Sequence, residues 1–332
     1  LRPDMPTNAH PSGLLRASNI GTMRIAYIEG VSMYTEYDVG EIIEDDGALY
    51  TPFYEVVNVH AGQAGAVQSD ETAKSVGFQG GVVRGTAHVQ QLPRVLLAGF
   101  GQRWFEVGGF AAMFIKPTLH GDRVRIGLQA PEEGGADEQV QLWVEREDGL
   151  HLVNGTAQLG DPKGASLARQ MVLNTHGAAD CRILAGREVG MVTDRLEVRL
   201  DSAKLADEPS MPMAPAEWYT TASPWGGPIA SPAFVPNAAG MSSGGLGLRT
   251  EGVVSMLGSQ EVKYEAGPVF LDHDYVSESE LVAIGSSPKS EYSWHESRLL
   301  EPDGTLVAKT LTQMRHLKKS SPLWADEFPP ED

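Results

Sequence analysis

The chain has 332 residues, with 26 Lys and Arg against 44 Asp and Glu, a formal net charge of −18, and 41% hydrophobic residues. That length accommodates two cores of ordinary size, and the acidic balance argues against nucleic acid, whose phosphates need clustered Lys and Arg; a few local cations would still serve a CoA-type ligand. No stretch approaches the roughly 18 consecutive apolar residues of a membrane span, and the single cysteine, Cys181, excludes an internal disulfide and fits a reducing, cytoplasmic setting.

Residues 1–22 are polar and punctuated by Pro and Gly, as an N-terminal arm would be; LRPDMPTNAHPSG lacks a basic region followed by an apolar core, so no signal peptide is expected. MRIAYIEG (23–30) alternates like a strand, and LYTPFYEVVNV (49–59) reads as a second extended run. SDETAK (69–74) resembles a short helix capped by Ser69 or Asp70. Gly77, Gly80 and Gly81 then break the chain before a helix over 85–97, in which Val89, Leu92 and Leu96 share one face and Pro93 forces a bend. RVRIGLQ (123–129), EQVQLWVERE (138–147) and LHLVNGTAQLG (150–160) alternate as half-buried antiparallel strands do, with Asp148-Gly149 turning between the last two. Residues 161–190 read as a connection. A second series follows, with DRLEVRL (194–200), a Gly/Pro-rich loop, a helix after Pro232, and strands at 259–266, 280–286, 290–300 and 305–317. The mixture favours an α+β class.

The two series repeat one another. GGVVRGTAHV (80–89) is answered by GGPIASPAFV (226–235), PTLHGDRVRI (117–126) by PVFLDHDYVS (268–277), and Asp148-Gly149 by Asp303-Gly304. The period is too long for a solenoid unit. It implies tandem domains at 23–160 and 191–320, with an arm at 1–22, a linker at 161–190 and a tail at 321–332.

GFQGGVVRGT (77–86), Phe100-Gly101 and FIKPTLHGDRVRI (114–126) resemble the MaoC-like dehydratases and (R)-specific enoyl-CoA hydratases; EWYTTASPWGGPIASPAFV (217–235) and GPVFLDHDY (267–275) extend the resemblance to the second half. It implies a double hotdog, each half an antiparallel sheet curled around a central helix. It also implies an acyl-thioester substrate, with hydratase, dehydratase or related lyase chemistry. The backbone N–H at the start of the helix would polarise the thioester carbonyl. Hydrating members carry Asp-x-Asn-Pro-x-x-His before the Gly-rich segment, a carboxylate and an imidazole sharing one water. Here Gln63, Gly65 and Gln68 occupy the Asp, Asn and His positions, and PSMPMAPAEWY (209–219) has neither acid nor imidazole at the matching places. Glutamine hydrogen-bonds but transfers no proton near neutral pH. Three functions therefore stand: a MaoC-like enzyme with a remodelled site, a hotdog thioesterase, or a non-catalytic acyl-binding or partner subunit.

By the same resemblance, Gly85 and Ser231 sit at the two helix starts facing a thioester oxygen; for Gly85 the alternative is close packing of helix on sheet. Gln63 and Gln68 would orient water or grip a carbonyl, or stand on a solvated loop. Arg84 would bind a carboxylate, phosphate or enolate, or be a surface arginine. His60 and His88 are possible bases or packed histidines. Trp218 and Tyr219 would lie over an acyl pocket, Tyr219 donating to an oxyanion, or belong to the core. Asp272, His273 and Asp274 read as a turn rather than a metal site, and only one of His295 and Glu296 can face a site on a strand. No zinc spacing, nucleotide loop or GxSxG motif is present, so neither metal nor cofactor is expected. The expected partner is a small-molecule thioester, with no membrane or nucleic acid; pairing of hotdogs makes a homodimer compatible.

Overall fold

A computed structural model describes residues 37–132, 137–175 and 180–329. The strand expected at 23–30 and the arm at 1–22 lie outside them. The first half contains β1 (Ile43–Asp45), β2 (Ala48–Tyr50), β3 (Tyr54–Glu55), α1 (Asp70–Ser75), α2 (Gly85–Val89), α3 (Leu92–Phe100), α4 (Trp104–Val107), β4 (Gly108–Phe114), β5 (Arg123–Gln129), β6 (Glu138–Arg146) and β7 (His151–Leu159). After α5 (Leu167–Leu173), the second half contains β8 (Leu196–Arg199), α6 (Ser202–Ala206), a 3-10 turn at Ala216–Tyr219, α7 (Val235–Ala239), a 3-10 segment at Met241–Leu246, β9 (Ser255–Tyr264), β10 (Asp274–Ser286), β11 (Ser290–Leu300) and β12 (Leu306–Leu317).

The strands form one antiparallel sheet in the order β1-β2-β5-β6-β7-β4-β9-β12-β11-β10-β8, with β3 also on β5. The order is symmetric about the β4–β9 pair. Outward from it, β7, β6 and β5 on one side match β12, β11 and β10 on the other. The helical segments match as well. Val83 N–H donates to the Thr118 carbonyl at 2.8 Å and Ala230 N–H to the Val269 carbonyl at 2.7 Å, and Val82 bridges Leu119 as Ile229 bridges Phe270. Both strand-entry turns use a left-handed residue, Gly121 at φ +85° and Asp272 at φ +56°. Asp272 is held there because its carboxylate accepts from Ser202 N–H at 3.0 Å and Ser202 Oγ at 2.6 Å. Asp272 lies in the turn, as expected, whereas Asp274 already opens β10.

Alternation decides which face each strand presents. In the first half Phe110, Ala112, Ile126, Leu128, Leu142 and Val144 point to the face that carries α3, whose Leu92, Val95, Leu96 and Leu97 are buried against them; each fully buried side chain of this size contributes about 1.5–3 kcal/mol. The opposite face is covered across the β4–β9 seam by α5, with Ala168 packed on Ala111, Trp294 and Leu311. The 161–190 segment is thus a packed strap over part of its length. Arg169 of α5 pairs with Glu261 at 2.8 Å and with Glu296, and Ser166 donates to Glu261. Glu296 therefore faces α5, and His295 the helix-bearing face.

The single helix expected over 85–97 is two, α2 and α3, separated at Gln90-Gln91. Pro93 has no N–H to continue the ladder and sits in the first turn of α3, where none is needed. The break has a use. The Gln90 carboxamide oxygen accepts from Met211 N–H at 3.0 Å, and Gln91 Nε2 donates to the Pro212 carbonyl at 2.6 Å, so buried glutamines tie the first half's helix to the 209–213 segment of the second half.

Candidate functional site

The candidate site is built from the start of α2 outward. The loop before it is pinned by Asp70, which accepts from Gly81 N–H at 2.7 Å, while Ser69 caps α1 by accepting from Thr72 N–H at 3.2 Å. At the helix start the Gly85 and Thr86 N–H groups have no intrahelical partner, as at any helix N-terminus, and Arg84 offers no side-chain cap. A Cβ on Gly85 would come 2.6 Å from the Phe114 ring. Close approach is therefore the reason for glycine here.

These groups line a cavity of about 660 Å³ between the halves. Gln68, Arg84, Gly85, Thr86, His88, Phe114, Lys116 and Thr118 come from the first half, and Met256, Leu257, Lys289, Ser290, Met314 and Arg315 from the second. Four of the lining residues are cationic (Arg84, Lys116, Lys289 and Arg315) and none is acidic, in a chain of net charge −18. His88 is buried; its Nε2 lies 2.8 Å from Thr118 Oγ1, and its Nδ1 has no partner among the described residues. Burial pushes its pKa down to about 4, so the ring is neutral at physiological pH. Arg84 is also shifted below its ordinary value by burial, with Glu208 opposing.

Of the residues singled out from sequence, Gln68, Arg84, Gly85 and His88 meet at this cavity. Gln63 is exposed and outside the lining; its carboxamide oxygen accepts from the Arg84 guanidinium, so it bears on the cavity through Arg84. Trp218, Tyr219 and Ser231 are elsewhere, which corrects the expectation of an acyl pocket under them. Trp218 packs edge-on against Tyr37, Phe105 and Trp225, and Tyr219 belongs to the same core. The Tyr219 hydroxyl has no partner among the described residues, and burial raises its pKa. Ser231 is in register with Arg84, not Gly85, as the paired Val83 and Ala230 bonds show. The residue matching Gly85 is Pro232, which has no N–H, and the Ser231 hydroxyl occupies the next one, Ala233 N–H, at 3.2 Å. The second helix start has no equivalent donor pair to offer.

Sequence reasoning missed Lys116, Thr118, Lys289 and Arg315. The first two lie inside the quoted FIKPTLHGDRVRI motif, whereas Lys289 and Arg315 reach the cavity only through pairing of distant strands. A groove of about 710 Å³ on the α5 face is less suited to a ligand, because Arg169, Arg195, Arg298 and Lys309 there already pair with Glu261, Glu278, Glu296 and Glu265. Among the described residues no group of three or more His, Cys, Asp or Glu is placed to hold a metal ion, and no helix is long and apolar enough to cross a membrane.

No family model and no curated protein matches the sequence. Among solved structures the chain is similar to a protein assigned as a MaoC-domain dehydratase from Chloroflexus aurantiacus J-10-fl, at 13% identity and a TM-score of 0.51, over 81% of this chain and 94% of that one. It is also similar to Rv0216, a conserved hypothetical protein with a double hotdog fold from Mycobacterium tuberculosis, at 11% identity and a TM-score of 0.49, over 84% and 96% of the two chains. A protein assigned as a thioesterase from Novosphingobium aromaticivorans DSM 12444 matches at 15% identity and a TM-score of 0.40, over 83% and 98%. At such identities the likeness concerns the fold. The protein is a double hotdog, two half-sheets of opposite order joined at β4–β9, each carrying a helical segment on the same face.

The buried imidazoles set an acid limit. His88 and His295 are both pushed by desolvation down to about 4. The unfolded chain, with histidine near 6.5, therefore takes up protons first as pH falls. Above about pH 6.5 the rings are neutral in both states and burial costs nothing in protonation; toward pH 4 stability is lost, on the order of 3 kcal/mol for each histidine. The urea midpoint is expected to drop between about pH 6.5 and pH 4.5, and His88→Gln to flatten part of the slope, the other lowered histidines, His295, His316 and His60, supplying the rest. An unchanged slope in that variant would exclude His88 as a source.

Proposed function

We propose that the cavity at Gly85 binds an acyl thioester and that the protein carries out hydration or dehydration next to the thioester carbonyl. The supporting observation is the lining itself, in which four cations and no carboxylate surround a cavity that ends at free helix N–H groups and a neutral, buried imidazole. The Gly85 N–H would hold the carbonyl oxygen as charge develops on it. Gln68 would orient water, and Arg84, steadied by Gln63, would face an enolate or carboxylate. His88, neutral and bonded to Thr118, is the proton acceptor the lining supplies. The dehydratase assignment of the Chloroflexus aurantiacus neighbour agrees with that class. Lys116 and Lys289, both exposed at the rim, would meet the phosphates of a CoA-type carrier.

Lys116→Glu and Lys289→Glu are each expected to weaken crotonyl-CoA binding about tenfold at low salt, with less effect at high salt. Neither should alter binding of the phosphate-free N-acetylcysteamine thioester. Equal losses for both ligands, or none for either, would overturn the phosphate role. A second reading, an acyl-binding subunit without turnover, is favoured by the absence of any carboxylate from the lining. Loss of the enoyl absorbance of crotonyl-CoA supports the enzyme; saturable binding with no absorbance change supports the subunit.

A further inference from the structure

The two halves use the same face of the sheet in opposite ways. In the first half that face is apolar, with Phe110, Ala112, Ile126, Leu128, Leu142 and Val144. In the second half the matching strands carry Gln260 on β9, Thr310 and Thr312 on β12, Ser293, His295 and Ser297 on β11, and Ser277 and Ser279 on β10, every one of them buried. Parity fixes the side. Trp294 and Leu311 pack under α5 on the far face, whereas Leu299 and Ala308 join the core on the near one.

Buried hydroxyls normally find partners, and some here do. Ser279 Oγ bonds Ser297 Oγ at 2.7 Å and Ser242 Oγ at 2.8 Å, Ser277 Oγ donates to the Ala239 carbonyl at 2.5 Å, and Gln260 Nε2 donates to Thr312 Oγ1 at 3.0 Å. Three others do not. Ser293 Oγ, His295 Nδ1 and Thr310 Oγ1 are buried without a partner among the described residues. The three residues are 0%, 7% and 1% exposed. Leaving such groups unpaired is destabilising, and an ordinary core avoids it by using Val, Leu or Ala.

The unpaired groups lie beyond the cavity's Met314 on the same face of the sheet. Met314 lines the cavity and is the cross-strand partner of Ser293; one step further along the same face His295 pairs with Thr312, and then Ser297 with Thr310. On the other side of the seam Gln260 is the partner of Ala112, two residues before the cavity's Phe114. Met314 is the kind of side chain that repacks around an entering ligand, being unbranched and flexible.

We infer that the acyl group runs from Gly85 past Met314 along the second half's sheet, and that this row selects acyl chains bearing hydroxyl or carbonyl oxygens over plain alkyl chains. The inference rests on the acyl-thioester reading of the cavity and adds the class of acyl group. A site built to hydrogen-bond a substrate oxygen penalises the analogue lacking it, because its own groups then stay unpaired.

The test compares saturated acyl-CoAs with hydroxy- and keto-acyl-CoAs of equal chain length by calorimetry, on the full chain and on Ser293→Ala, His295→Leu and Thr310→Val. Because Ser293 Oγ, His295 Nδ1 and Thr310 Oγ1 have no partner among the described residues, the variants should fold at least as stably as the parent. The oxygenated ligands are expected to bind the parent at least about tenfold more tightly. The variants should lose that preference while keeping or improving alkyl binding. Equal affinities in the parent, as when the hydroxyls serve only bound water, or a preference surviving all three substitutions, would overturn the inference. Failure of every acyl-CoA to bind would remove the thioester reading itself, and this inference with it.

Discussion

Gly85→Ala is expected to lower affinity for crotonyl-CoA, and any turnover, by about a hundredfold with little loss of folded protein. The added Cβ would stand 2.6 Å from two carbons of the Phe114 ring, well inside contact distance. The ring must then swing toward the cavity it lines, or α2 must move away from the sheet. Either movement displaces the Gly85 N–H from the carbonyl it is proposed to hold, and a misplacement of about 1 Å at such a centre is worth roughly a hundredfold. The strain itself belongs to overpacking, about 1–3 kcal/mol, which a domain of this size tolerates. Two companions make the result specific. Gly62→Ala, where a Cβ meets nothing within 4 Å, should behave as the parent. Phe114→Ala in the Gly85→Ala background should restore part of the binding by giving the methyl room. Full binding by Gly85→Ala alone would show that the helix start is not where the ligand sits.

The largest stability effect is expected from Glu291→Ala, about 3–5 kcal/mol, or a fall in Tm of roughly 10 °C. Glu291 on β11 is fully buried, yet its carboxylate accepts from Arg182 N–H at 2.7 Å, Ile183 N–H at 3.0 Å, Leu184 N–H at 2.8 Å and Trp324 Nε1 at 2.7 Å. One side chain thus fastens the Arg182, Ile183 and Leu184 backbone and the Trp324 ring to β11. Burial alone would raise its pKa, but the Ile183, Leu184 and Arg182 N–H donors outweigh that, and the carboxyl is held below its ordinary value. The sign follows. The contribution is complete above the ordinary glutamate range and is lost as pH falls through the lowered value. Alanine leaves the donors buried and unpaired. Glutamine keeps the shape and one acceptor oxygen, so Glu291→Gln should lie between the two. A Tm within about 2 °C of the parent for Glu291→Ala would contradict this account.

Much of the fold was legible because its local chemistry agrees with its tertiary position. RVRIGLQ alternates and is the strand β5 from Arg123 to Gln129, and β11 keeps the bounds expected for it. The GGFAAMF strand β4 gave no alternation. It is buried on both faces at the centre of the sheet, between β7 and β9 with α5 behind it, so its sequence carries no solvent side to betray the period. The early part of β10 was missed for the opposite reason. Ser277 and Ser279 are polar on the buried face, which disguises a strand that begins at Asp274.

For the site, the Gly-Gly segment led to Gly85, Arg84, Gln68 and His88, which share one wall. It could not show that the second copy lacks the matching N–H. That depended on a one-residue offset placing Pro232 opposite Gly85, visible only once the Val83 and Ala230 hydrogen bonds were aligned. Nor could it place Trp218 and Tyr219, whose aromatic character suits a pocket wall and a core equally well. Here the core around Phe105 takes them.

The most direct test of the central claim is electron density from crystals grown with an unreactive acyl-CoA analogue. The account predicts the carbonyl oxygen about 3 Å from the Gly85 N–H, the carrier's phosphates beside Lys116 and Lys289, and no ligand at the start of α7. Ligand density at α7, or in the α5-side groove with the Gly85 cavity empty, would contradict it.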